Sequence, residues 1–256
     1  MVISDPKEIE KLRRSGQMLA EVLALVAEKA VPGISAEELD RLAESEILAR
    51  GGKPAFKGHQ SNPQERPFPA SLCVSINEEV VHGIPHKDKI LRAGDVVGLD
   101  LGVNYQGFFT DAAITVPIGQ VNSKLLDLIA AAKHSLANGL NQIKSGNHIG
   151  DIGYAIEKTA IDAGFVVVRE LVGHGVGRSV WEEPEVPCFG KRGEGLELRE
   201  GMVLAVEPML NMKDPRIKFS QDGWTVTTYD GQPAAHFEHT ILVTKTGFEV
   251  LTKAKL

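Results

Sequence analysis

Five residues of this 256-residue chain carry side chains that divalent metal chemistry needs, in places where strands normally bury apolar groups. Asp100 follows Val96-Val97-Gly98-Leu99, Asp111 precedes Ala112-Ala113-Ile114, Glu207 follows Val203-Leu204-Ala205-Val206, and Glu238 precedes His239-Thr240-Ile241. His174 sits within Gly173-His174-Gly175-Val176-Gly177, where glycines let other backbone pack close. Asp100 and Asp111 flank Asn104-Tyr105-Gln106-Gly107, a hairpin tip in which Gly107 is free to take positive φ. Pairing the strands symmetrically about the Tyr105–Gln106 bond sets the two aspartates directly opposite, with Cβ atoms roughly 5 Å apart. Carboxylates so placed repel each other and lose hydration. A bound cation, a proton shared within a dyad or a solvated hairpin face would each relieve that conflict. Glu207, Glu238 and His174 tilt the balance to the cation, because an oxygen-rich set with one imidazole and no cysteine suits Mn, Fe, Co or Zn. Four carboxylates are enough to hold two divalent ions roughly 3.5–4 Å apart, and a water held between such ions is acidified into a nucleophile. Hydrolysis is the chemistry this set suits.

These residues recur in order. Arg92-Ala93-Gly94-Asp95-Val96-Val97-Gly98-Leu99-Asp100 aligns without gaps on Arg199-Glu200-Gly201-Met202-Val203-Leu204-Ala205-Val206-Glu207. His82-Gly83-Ile84 precedes the first copy and His174-Gly175-Val176 the second; Asp111-Ala112-Ala113-Ile114 follows the first and Glu238-His239-Thr240-Ile241 the second. The repeat implies two related halves, roughly 72–116 and 166–243, whose polar residues converge across a pseudo-twofold axis. A turn entering a buried strand would account for Arg-x-Gly-x-Val alone, but not for strands that both end in carboxylates.

The elements that must position these groups follow from periodicity. Asp5 to Val31 reads as an amphipathic helix ended by Pro32-Gly33, and Ser35 to Arg50 as a second, opened by a Ser35–Glu38 capping box. Lys53 to Ala70 is proline-rich and reads as an exposed loop. Strands are expected at Leu72–Ile76, Val96–Val103 and Phe108–Val116, helices at Ser123–Lys144 and Ile149–Ala163, and strands at Val166–Leu171, Met202–Leu210, Trp224–Thr228 and Phe237–Val243. Helix pairs followed by groups of strands make an α+β chain rather than a βαβ alternation, and no low-complexity linker divides residues 1–256.

Composition narrows the classes. With 43% hydrophobic and 24% charged residues the chain can bury a sizeable core, and its net charge of −6 argues against nucleic acid as the main partner. No apolar run reaches the roughly 18 residues of a membrane helix, and the N-terminus lacks a basic segment leading into an apolar one, so a cytosolic location is expected. Cys73 and Cys188 lack a CxxC spacing and are expected as free thiols. Gly173–Gly177 lacks the spacing of a phosphate loop, and His236-x-Glu238 lacks the cysteine pair of a zinc deaminase. His236 and His239 stand as ligands or as neighbours of one, whereas His59, His86, His134 and His148 read as surface residues.

The segments Leu72-Cys73-Val74-Ser75-Ile76-Asn77-Glu78-Glu79-Val80-Val81-His82-Gly83-Ile84-Pro85, Leu99-Asp100-Leu101-Gly102, Thr110-Asp111-Ala112-Ala113, Gly173-His174-Gly175-Val176-Gly177, Glu207-Pro208, Asp222-Gly223-Trp224-Thr225-Val226 and Phe237-Glu238-His239-Thr240 form a specific signature. On them the chain resembles the bacterial-type, type I methionine aminopeptidases of peptidase family M24A, over nearly its whole length. The resemblance implies a single catalytic domain of the α+β pita-bread fold, two divalent ions (Co, Mn, Fe(II) or Zn), and removal of initiator methionine before a small second residue. It implies that Asp100 chelates one ion, that Asp111 and Glu238 bridge both, and that His174 and Glu207 complete the second. It further implies that Glu207 handles the proton of the attacking water, that His82 contacts the scissile peptide, and that Cys73 and Trp224 line the methionine pocket. Implied partners are N-terminal methionyl peptides and nascent chains, met by a monomer with at most transient ribosome contact and no direct binding of nucleic acid or membrane.

Two departures stand out. The family places a second substrate-contacting histidine seven residues after the metal histidine, where this chain has Trp181, and an indole can donate but not accept a proton. The loop Lys57 to Pro69 is longer than the family's compact aromatic one. These leave two further readings open: a pita-bread peptidase of altered specificity, such as for Xaa-Pro, or a catalytically weakened peptide-binding homologue.

Overall fold

The computed structural model describes residues 2–60 and 66–253. Helix α1 (Pro6–Lys29) starts where Asp5 accepts from the Lys7 amide, with proline at the first helical position, and α2 (Ala36–Ala49) starts at the Ser35–Glu38 capping box. Helix α3 (Ser123–Leu140) is capped by Asn122 and α4 (Ile149–Asp162) by Asp151, which accepts from the His148 amide. Helix α3 ends four residues before the expected Lys144, because the Gln142 and Ile143 amides turn back to Gly139 and Leu140 in tight three-residue bonds.

Strands Val96–Tyr105 and Phe108–Pro117 form the long hairpin. Its register corrects the sequence expectation: Tyr105 pairs with Phe108, so Asp100 faces Ala113 and Asp111 faces Gly102. The turn is the reason, since Gln106 and Gly107 both take positive φ (52° and 85°) and close a two-residue loop whose twist matches the strands. The register moves by two residues, and an even shift keeps both aspartates on one face.

The expected strand Met202–Leu210 is broken in two. Val203–Val206 pairs with His239–Val243, whereas Met209–Asn211 pairs with Ala234–His236 and Val166–Val167 in a different sheet. Pro208, with no amide hydrogen, ends the first ladder, and Phe237-Glu238 spans the matching gap on the partner strand. Glu207 and Glu238 therefore both stand at the break between two sheets.

Each half carries a helix pair on its outer face. Helices α1 and α2 pack Leu19, Val22, Leu39 and Ile47 on Val97, Leu99, Leu101 and Val103, the face of the hairpin opposite its aspartates. Helices α3 and α4 pack Leu136, Ile152 and Ile156 on Leu204, Val206 and Ile241.

Between the halves, residues 111, 113 and 115 run against 240, 238 and 236. The Glu238 amide donates to Ala113 O at 2.9 Å. The Thr240 hydroxyl accepts from the Asp111 amide and donates to the Asp111 carbonyl, each at 2.8 Å. The Thr115 hydroxyl makes the same two contacts to His236, again at 2.8 Å. The histidine block of the sequence repeat does not follow this arrangement. His174 lies on Gly173–Gly175, paired with Val203–Val206, while the neighbour of the first hairpin is Leu72–Ile76, and His82 falls beyond it in a left-handed turn.

Replacing Thr240 by Val keeps its shape and removes both bonds, leaving a buried amide and carbonyl unpaired. Urea denaturation is expected to show a loss of about 2–3 kcal/mol, and a loss below about 0.5 kcal/mol would refute this role for the hydroxyl.

Candidate metal centre

Strand parity on the hairpin and the break between the sheets bring Asp100, Asp111, His174, Glu207 and Glu238 to the base of one cavity of about 300 Å³. Asp100, Asp111 and Glu238 are 8%, 6% and 2% exposed. Ligand atoms of Asp111, His174 and Glu238 lie within 4.8 Å of one another, and so do those of Glu207, His236 and Glu238. Glu238 is common to both groups. His174 Nε2 is 3.4 Å from Glu207 Oε1, and His174 Nδ1 stands 2.9 Å from Gly175 O. The second contact has Nδ1–H donating to the carbonyl, which leaves the Nε2 lone pair turned to the cavity in the manner of a metal-binding imidazole.

The electrostatics of the cluster are unfavourable for the protein alone. Burial pushes the Asp100 carboxyl from 3.8 up to about 6. Burial and then the charges of Asp100 and Glu207 push Asp111 well above the usual carboxylate range, and burial with the charge of Asp111 does the same to Glu238. Asp100 Oδ1, Asp111 Oδ1, Glu238 Oε1 and His236 Nε2 are buried without a hydrogen-bond partner among the described residues. Buried polar atoms are rarely left so, and several converging on one point fit a site built around divalent cations.

The cavity walls are mostly apolar. Cys73 is 2% exposed, and its thiol is pushed up by burial and by the charges of Asp100 and Asp111, so it stays protonated. The Trp224 ring meets Phe68 edge-on at 5.3 Å and His82 at 6.2 Å, while its Nε1–H donates to Arg66 O at 2.9 Å. Asp222 Oδ1 accepts from the Trp224 and Thr225 amides, and the Thr225 hydroxyl reaches His82 O at 3.4 Å. His82 holds φ of 57°, and burial lowers its imidazole to about 4 against the pull of Glu207, so the ring is neutral at pH 7. Gly83 beside it is obligatory, because a Cβ there would stand 2.3 Å from Val74 O.

Trp181 lines the mouth of the cavity with Val180 and is 47% exposed. The centre of the Lys57–Pro69 loop, residues 61–65, lies outside the described residues. Its flanks supply Phe56 and Phe68 to the wall, held by Gly58 N–H to Phe68 O and Phe68 N–H to His59 O. Two histidine readings need correction: His59 is half-buried in the cavity wall, and His148 is half-buried at the start of α4. His236, left undecided by the sequence, belongs to the cluster. Residues 236 and 238 of an extended segment share a face, which is the signal that placed it within reach. His239 points away, its Nδ1 3.0 Å from Thr252 Oγ1.

Residues 10–245 match the model of metallopeptidase family M24. The methionine aminopeptidase of Aquifex aeolicus is 45% identical over 96% of both chains, and methionine aminopeptidase 1 of Bacillus subtilis 40% identical over 99% of both. Among solved structures, the methionine aminopeptidase of Thermotoga maritima superposes with a TM-score of 0.94 at 42% identity, covering 99% of this chain and all of that one. The prolidase of Pyrococcus furiosus shares the fold with a TM-score of 0.78 at 21% identity, this chain spanning 66% of its length.

Carboxyls whose pKa is raised by folding hold protons that the unfolded chain has released, so the metal-free protein loses stability as pH rises through about 4 to 6 and beyond. Calorimetry of chelated protein is expected to give a lower Tm at pH 7.5 than at pH 5.5, with added Mn or Co reversing the order. Asp111→Asn should raise the metal-free Tm at pH 7.5 while abolishing the response to metal. A metal-free Tm that climbs steadily over this range would contradict the assignment.

Proposed function

The chain belongs to metallopeptidase family M24 and has its pita-bread fold, and from that premise we propose that it matures nascent proteins by trimming their first residue. It is a metalloaminopeptidase that removes methionine from the N-terminus of peptides, a reading supported by 40–45% identity to methionine aminopeptidases over almost the entire chain. The observation that carries it within this molecule is the convergence of four carboxylates and His174 on the lining of one mostly apolar cavity of about 300 Å³.

Residues 1–256 act as one catalytic domain. Asp100, Asp111, His174, Glu207 and Glu238 would hold two divalent ions, drawn from Co, Mn, Fe(II) and Zn, with Asp111 and Glu238 serving both. When bound, such ions acidify water and polarise the scissile carbonyl. Glu207, less deeply buried than its neighbours, takes the proton of the attacking water and passes it to the leaving amine. His82, neutral and rigidly held, hydrogen-bonds the scissile peptide. Cys73, Phe68 and Trp224 receive the methionine side chain, for which an apolar and polarizable wall is suited. A small second residue is preferred, because the deep part of the cavity is occupied by methionine and the centre.

Among the described residues, no helix is long and apolar enough to cross a membrane. The enzyme works as a cytosolic monomer with transient ribosome contact. Trp181 at the mouth keeps an N–H donor but cannot shuttle a proton.

Purified protein reconstituted with Mn or Co is expected to release methionine from Met-Ala-Ser and to fall silent with chelator. Metal-loaded protein that releases none would overturn the reading. His82→Ala should lower kcat/KM by about 10²–10³, the range for losing one donor to developing charge. Trp181→His should raise kcat, by up to about 10² if the lost imidazole served that same charge. An unchanged kcat would mean that position 181 has no part in the chemical step.

A further inference from the structure

We propose that His236 is a further ligand of the metal centre, binding through Nε2 the ion held by Glu207 and Glu238. With His174 and Glu207 serving one ion, that ion would then carry two imidazoles, His174 and His236. This rests on the dinuclear reading above and adds a residue to it.

The argument begins with burial. The His236 side chain is 3% exposed, and its Nε2 has no hydrogen-bond partner among the described residues. An imidazole sunk that deeply normally pairs both nitrogens, since a buried unpaired polar atom costs free energy. Nε2 is aimed at the cluster: it stands 3.5 Å from Glu207 Oε2, beyond an ordinary hydrogen bond, while a Glu238 oxygen lies within 4.8 Å of the same pair. A separation of this size between ligand atoms is what two donors on one ion adopt, with each bond near 2.0–2.2 Å.

The residue is also held in place. Its amide and carbonyl are both tied to the Thr115 hydroxyl at 2.8 Å, and its strand pairs with Met209, two residues after Glu207. The backbone that carries the ring is thus fixed from the first hairpin and from the strand following Glu207 at once. The two triads, Asp111–His174–Glu238 and Glu207–His236–Glu238, have the same composition of one imidazole and two carboxylates, and they meet at Glu238. A second nitrogen donor moves the preference of the centre away from Mn and toward Fe(II), Co and Zn.

The test uses the full chain loaded with Co(II). Each imidazole bound through Nε2 carries one exchangeable Nδ1 proton, which the paramagnetic ion shifts far from the protein envelope. Proton NMR in H2O against D2O is expected to show two such protons in the native protein and one in His236→Gln. Calorimetric titration should show one Co(II) affinity of the variant reduced by more than about 100-fold, above what losing an outer-shell partner costs. One shifted exchangeable proton in the native protein would overturn the proposal and make His236 a hydrogen-bonding neighbour of Glu207, and that count needs no variant to fold. If the native protein binds a single Co(II), the dinuclear reading fails on its own, while loss of a shifted proton in His236→Gln still decides the role of His236.

Discussion

The structure depends on the mutual repulsion of four carboxylates buried within a few ångströms of one another. Asp100, Asp111 and Glu238 each have a pKa raised by burial, and the charges of their neighbours raise it further for Asp111 and Glu238. A folded protein tolerates such a set only if its apolar shell is strong enough to hold it together or if cations relieve it. Both conditions are visible. Two helix pairs bury their apolar faces against the outer surfaces of the sheets, and the inner surface leaves carboxylate oxygens and one imidazole nitrogen without partners among the described residues. The shell keeps the cluster assembled and the unpartnered atoms make it receptive.

Holding the cluster at the correct separation falls to the seam between the halves. Ordinary strand pairing across it would need a continuous ladder of backbone groups. Here the Thr115 and Thr240 hydroxyls each serve one residue's amide and carbonyl, and a single backbone bond, Glu238 to Ala113, lies between them. Asp111 and His236 are each fixed through their own backbone, so their side chains lose little further freedom on meeting a ligand.

Much of this was legible in the sequence because its causes are local. The capping box at Ser35, the strand Leu72–Ile76 and the carboxylates set in apolar runs all follow from residue types at short spacing. The hairpin register was not, because it depends on whether Gln106 adopts positive φ, and a glutamine does not announce that. The parity of the aspartates survived the error since only odd shifts exchange faces. The break in the strand after Val206 was signalled by Pro208, whose missing amide hydrogen ends a ladder. The place of His236 was harder to read: its neighbour at 238 is a spacing of two on an extended chain, but whether that chain stays extended through Phe237 is decided by the Thr115 hydroxyl, more than a hundred positions away.

The same physics bears on which positions around the centre can vary. Within the cluster, replacing any one carboxylate changes the charge that every other one feels and leaves a cation under-coordinated, so the parts cannot vary independently. Among the cavity residues, Trp181 is 47% exposed, so exchanging it costs the fold little. Variation should therefore collect at the walls and mouth, where it alters which peptide is held and how quickly it reacts, while the carboxylates stay together as a set. Cys73 lies between these regimes: its side chain faces the pocket, yet its strand pairs it with Asp100, so a larger residue there would press on the centre as well as on the substrate.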